Sequence, residues 1–154
     1  MARDIFIFTA TEPAMPIDDI VSAMRTRGHA VSWHYRRLSE RRQPGIWTGG
    51  YFTREQDSTP LVSLSTRPVE PAELEETLEE YAALLDGTRR ATLALTLREY
   101  RIVPESAGEP SAALSIHLAD IIAGHSSGLV LDSAAKRFHD RDELRRAHKR
   151  LLGG

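Results

Sequence analysis

The run Ile5-Phe6-Ile7-Phe8-Thr9-Ala10 is followed by Pro13 and Pro16, and then by Ile17-Asp18-Asp19-Ile20-Val21-Ser22-Ala23-Met24. The first run holds four bulky apolar residues, two β-branched and two aromatic, in a length that suits a buried strand. The two prolines end it. In the second run Ile17, Ile20, Val21 and Met24 recur at helical spacing, and Asp18 and Asp19 place negative charge in the first turn, where the helix dipole favours it. Gly28 is a reasonable stop for that helix. Residues 29–35 return to an extended pattern, so residues 5–35 read as a β-α-β unit.

Outward from that unit, residues 36–44 are polar and read as a loop. Residues 46–53 carry Trp47, Tyr51 and Phe52 around Gly49-Gly50, which suits a strand with a bulge or a tight hairpin turn. Asp57-Ser58-Thr59-Pro60 is a turn, and residues 61–65 form a short strand. Pro68 and Pro71 open a helix whose Leu74, Leu78, Tyr81 and Leu85 make one stripe, with Gly87 expected to end it. Ala91, Leu93, Leu95 and Leu97, with Thr92 and Thr96 between them, read as a strand running to about Val103. After a loop over 104–110 comes a helix with Leu114, Leu118, Ile121 and Ile122 on its buried face, ending at Gly124. Residues 129–131 are a short strand. Asp140 and Glu143 make the acidic form of a capping box before a last helix carrying Leu144 and Leu151. The expected order is β-α-β-β-β-α-β-α-β-α, with no repeat and no linker. That is one α+β domain over residues 1–154: a mixed sheet with helices mainly on one face, a ferredoxin-like core with a C-terminal extension.

A chain of 154 residues can hold a core without disulfides or metal. It contains no cysteine, which removes disulfide frameworks, thiolate nucleophiles, thiol-ligated zinc and iron–sulfur clusters. Its 20 basic and 22 acidic residues, net charge -2, give no general attraction to nucleic acid. Four apolar residues behind Asp4 are fewer than a signal-peptide core needs, and no window reaches a membrane span, so a soluble, cytoplasmic protein without a membrane partner is expected. The charge is unevenly spread: net +1 over residues 1–60, -5 over 61–110 and +2 over 111–154. An acidic middle lies between mildly basic ends.

Gly124-His125-Ser126-Ser127-Gly128 has the spacing G-x-S-x-G, but a nucleophile elbow needs a strand before it and a helix after. Here the order is reversed, and the serine would sit at a helix C-terminus whose carbonyls repel an oxyanion. The run reads as a helix-to-strand turn. His139-Asp140-Arg141-Asp142-Glu143 reads as a helix cap, because consecutive residues at a helix start point in different directions and do not converge on one ion. The six histidines show no H-x-x-x-H spacing, and His117 and His148 border apolar stripes as hydrogen-bonded boundary residues. No metal site and no cofactor is expected, and no glycine-rich phosphate loop is present.

Two surfaces stand out. Glu70, Glu73, Glu75, Glu76, Glu79 and Glu80 fall within eleven residues on a helix whose leucine stripe faces inward. An acidic face of this kind steers and docks a basic protein. Trp33, His34, Tyr35, Arg36, Arg37, Arg41, Arg42, Trp47 and Tyr51 interleave aromatics with arginines, a composition that suits a ligand pocket or, alternatively, stacking on nucleic-acid bases. Residues 118–144 carry a further signal. An apolar helix leads into Gly124-His125-Ser126-Ser127-Gly128-Leu129-Val130-Leu131-Asp132 and then, after a short loop, into Arg137-Phe138-His139-Asp140 and Glu143-Leu144. This order resembles the C-terminal part of small uncharacterised bacterial α+β proteins of immunity-protein type. The resemblance implies a non-enzymatic role, the binding of a partner protein, and makes Asp132 a turn residue. The leading expectation is a protein-binding module with Glu73, Glu76, Glu79 and Glu80 as contact face. The alternative is a small-ligand binder or enzyme with a pocket near His34, Tyr35, Trp47 and Tyr51. Nucleic-acid binding through the arginine-aromatic segment ranks third, and a homodimer remains open.

Overall fold

A computed structural model describes residues 3–43 and 46–153; Pro44, the end of the expected loop, lies outside them. Strand β1 (Ile5–Thr9) leads through Pro16 into helix α1 (Ile17–Thr26), and β2 (Val31–Tyr35), β3 (Gly49–Arg54) and β4 (Val62–Pro68) follow. Helices α2 (Pro71–Glu80) and α3 (Gly87–Leu93) precede β5 (Arg98–Pro104) and the long α4 (Glu109–Ser126). The chain ends with β6 (Leu129–Asp132), β7 (Arg137–His139) and α5 (Arg141–Ala147). All seven strands join one sheet in the order β2-β3-β4-β5-β1-β6-β7.

The class is α+β, as the alternation of patterns implies, but every neighbouring pair is antiparallel, so the sheet is not mixed. In the β-α-β unit of residues 5–35, β1 and β2 are not neighbours. The meander β2-β3-β4-β5 folds back until β5 lies against β1, with Ile7 opposite Tyr100. The neighbours β6-β1-β5-β4, with α1 and α4 on one face, have the order of a ferredoxin-like core. Strands β2 and β3 extend one edge, and β7 the other.

Alternation in the strands sorts side chains onto two faces. On one face Ile5, Ile7, Phe52, Val62, Leu64, Tyr100, Ile102 and Val130 pack against Ile17, Ile20 and Met24 of α1, Leu114, Leu118 and Ile122 of α4, and Leu144 of α5. Helix α4 touches β1, β5, α1 and α5, and most of its circumference is buried, as expected of a helix apolar on nearly every side. On the other face Phe8, Leu129, Leu131 and Phe138 meet Leu93 of α3, with Leu78, Tyr81 and Leu85 packed beside them. Thus α1, α4 and α5 cover one face, and α2 and α3 cover the β1-β6-β7 half of the other. The β2-to-β5 half of that second face is left to polar side chains: Ser32, His34, Tyr51, Ser63, Ser65 and Arg101 are all at least partly exposed.

Several local readings change, beginning with the loop after β2, which contains a 3-10 helix over Leu38–Arg42. Residues 91–97 do not form a strand: Asp86 caps α3 by accepting a hydrogen bond from the Arg89 backbone N–H at 2.8 Å. Gly87 therefore opens a helix instead of closing one. The expected leucine-stripe helix breaks after Glu80 into a single 3-10 turn, Ala82–Leu84. Gly49-Gly50 is neither bulge nor turn. Gly50 lies in regular β3 opposite Tyr35, and a Cβ there would collide with the His34 carbonyl and the Trp33 ring.

Candidate functional site

The four glutamates proposed from sequence all lie on α2. Its start is stabilised locally, with Pro71 in the first turn and the Glu70 N–H donating to the Glu73 carboxylate at 3.4 Å. Glu73 also pairs with Arg67 of β4, and Arg67 in turn holds Glu99 at 2.9 Å. The Arg67 hydrogen bond keeps the Glu73 carboxyl below its ordinary range. Burial pushes Glu99 the other way, against the pull of Arg67. Glu75, Glu76, Glu79 and Glu80 are exposed, and among the described residues none of them makes an ion pair. Leu78 anchors the helix from beneath. The outer surface of α2 therefore carries uncompensated negative charge.

The four aromatic-segment residues are divided between the two faces of the sheet. His34 and Tyr51 stack at 4.9 Å on the polar face, where His34 Nε2 meets Thr53 Oγ1 at 2.9 Å. Trp47 is buried on the helix side, donating its indole N–H to the Met15 carbonyl at 2.8 Å. Tyr35 packs toward that side, edge-on to Trp33. None of the five cavities best defined among the described residues is lined by all four. Of the Gly-His-Ser-Ser-Gly run, Gly124, His125 and Ser126 form the end of α4, two residues past the expected stop, and Ser127 (φ 51°) swings the chain toward β6.

A third site was not foreseen. Asp120, in the middle of α4 and only 1% exposed, accepts hydrogen bonds from three arginines. Arg27, just beyond α1, reaches Oδ2 at 2.7 Å. Arg141 reaches Oδ1 through Nε at 3.1 Å. Arg145 binds both oxygens, through Nε at 2.8 Å and Nη2 at 3.2 Å. Burial pushes the Asp120 carboxyl up, but the bonds from Arg145, Arg27 and Arg141 outweigh it and hold the group far below the carboxylate range. Gly124, one turn on, makes room for this: a Cβ there would run into the Arg141 guanidinium.

Arg27 also meets His117 Nδ1 at 3.2 Å, and His117 Nε2 lies 3.2 Å from the Leu151 carbonyl. Arginine can only donate, so Nδ1 accepts and the ring proton sits on Nε2, where it donates to Leu151. Burial, with His29 and Arg27 nearby, lowers the His117 pKa and keeps the ring neutral. His29 contacts it ring to ring at 4.3 Å. Arg27, His117, Asp120, Arg145, Lys149 and Leu152 line an open basin of about 530 Å³. A second basin of about 470 Å³ is lined in part by His29, Val31, Leu61 and Leu114, so the contact of the His29 and His117 rings joins the linings of the two basins.

The sequence held one signal for this site: an aspartate three residues after a histidine in an otherwise apolar helix. Its partners, at positions 27, 141 and 145, are too distant in the chain to be matched to it. The described residues contain no cluster of three or more His, Asp or Glu side chains placed to hold a metal, and no described helix is long and apolar enough to cross a membrane. Comparison of the chain with models of protein families, with curated protein sequences and with solved structures found no match.

Proposed function

We propose that this protein is a non-catalytic binding module that docks a basic protein partner, with the outer face of α2 as its contact surface. The observation that carries this reading is the exposed set Glu75, Glu76, Glu79 and Glu80, which has no cationic partner among the described residues. Ordinary surface helices intersperse charges of both signs; this one concentrates one sign. Such a surface raises the encounter rate with a cationic partner and disfavours acidic ones. The resemblance of residues 118–144 to immunity-type proteins points to the same class of function.

The test is affinity capture at about 0.15 M salt, with native mass spectrometry of what is retained, followed by kinetics with a triple reversal, Glu76→Lys, Glu79→Lys and Glu80→Lys. A stoichiometric basic protein should associate about tenfold or more slowly with the variant at low salt, while the fold keeps its stability. A captured partner whose association rate ignores both the reversal and the salt would exclude α2 as the contact face.

A further inference from the structure

One arginine would neutralise Asp120. The fold supplies three, from beyond α1 and from α5, and adds Lys149 on the rim of the same basin without a bond to the carboxylate. Gathering like charges around one carboxylate costs repulsion that a simple helix-to-helix lock does not require. Nearby acids do not cancel the excess: Glu143 is taken by Arg89 and Glu109 by Arg150, leaving Asp142 close to Arg145. The three guanidinium groups carry about fifteen N–H donors, and hydrogen bonds to Asp120 and His117 engage five of them. Arg145 is the informative one. It grips Asp120 side-on through Nε and Nη2, which leaves Nη1 and the second Nη2 proton, its end-on fork, for another anion.

We propose that the basin binds a phosphate dianion, free or as the phosphomonoester of a small molecule, between Arg27, Arg145 and Lys149. Asp120 holds the guanidinium planes in place before the ligand arrives, so less freedom is lost on binding. Neutral His117 accepts from Nη1 of Arg27 while Asp120 accepts from its Nη2. The volume of about 530 Å³ suits a small ligand. An organic body attached to the phosphate would extend past His29 into the basin lined by Val31, Leu61 and Leu114.

The experiment is calorimetric titration of the whole protein with inorganic phosphate and, separately, phenyl phosphate. It is run at constant ionic strength and at about pH 7.5, where phosphate is mainly dianionic. Saturable one-to-one binding is expected, weakened about tenfold by Lys149→Gln with the melting temperature of the free protein unchanged. Tighter binding of phenyl phosphate would identify an organic phosphate as the ligand, and equal binding the free ion. Arg145→Gln should abolish binding, and Lys149→Gln keeps the test decisive if that variant folds poorly. The proposal fails if neither probe binds saturably at millimolar concentration, if chloride or sulfate stabilises the protein as much as phosphate does, or if Lys149→Gln binds like the parent. It also fails if a polyglutamate peptide occupies the basin while both phosphates do not.

Discussion

At the scale of single residues, Asp120 and Gly50 carry more of the structure than their neighbours. Replacing Asp120 by asparagine keeps the shape and removes the charge that three arginines share. Breaking a buried ion pair from one side costs about 3–5 kcal/mol. The arginines are partly exposed, with side chains 25% to 50% accessible, so they can turn to water, and a loss near the lower end of that range is expected. Urea unfolding of Asp120→Asn checks it; a loss below about 1 kcal/mol would show that the arginines are held by other contacts. The same carboxylate gives the stability a pH limit. Its folded pKa lies below the ordinary 3.8, so its contribution is complete above that value and is lost as the pH falls further. Gly50→Ala is a different case. The new methyl meets the backbone of β2 and the Trp33 ring, and a loss of about 1–3 kcal/mol is expected from overpacking. At Gly124 the atoms nearest the methyl belong to the Arg141 guanidinium, which can swing away, so alanine there should displace one arginine at little cost.

Among the elements, α5 is the one on which the arginine basin depends. Asp140 accepts from the Glu143 N–H at 2.8 Å, and Glu143 returns a bond to the Asp140 N–H at 3.2 Å. This reciprocal cap sets the first turn and thereby aims Arg141 and Arg145 at α4. Asp140→Ala should cost about 1 kcal/mol, and circular dichroism melting would register it. The cap was legible in the sequence because it is a local pattern. The strand β7 before it was not: Arg137–His139 is three residues long, too short for periodicity to show. Residues 91–97 misled for a related reason. Over so short a run the alternation of leucine with threonine and alanine imitates a strand without excluding a helix, and the Asp86-Gly87 start signal decided the outcome. In the structure Leu95 and Leu97 are exposed, and of that run only Leu93 and Thr96 are deeply buried.

For the whole molecule, charge and titration give the wider expectations. The Glu76, Glu79 and Glu80 reversal should change stability by no more than about 0.5 kcal/mol, because these side chains touch neither core cluster. His29, His117 and His139 are each held below 6.5, chiefly by burial. Between their folded values and about 6.5 the unfolded chain binds more protons, so stability falls as the pH drops below that value and levels off above it. Urea midpoints at about pH 7.5 and 5.5 test this; equal midpoints would contradict it.

Residue order alone determines the α+β class, the strands β1 to β4 and β6 in outline, the helices α1, α4 and α5, and the acidic face of α2. Each rests on a period or a cap read within a few turns of chain. Tertiary structure decided the rest: an antiparallel sheet in which β1 meets β5 and β6, the separation of His34 and Tyr51 from Tyr35 and Trp47, and the meeting of Arg27, Arg141 and Arg145 on Asp120. Local pattern assigns a side chain to a face. Which distant faces then meet depends on how the meander closes against β1, because a carboxylate in an apolar helix can be buried only where the folded chain brings its counter-charges to it.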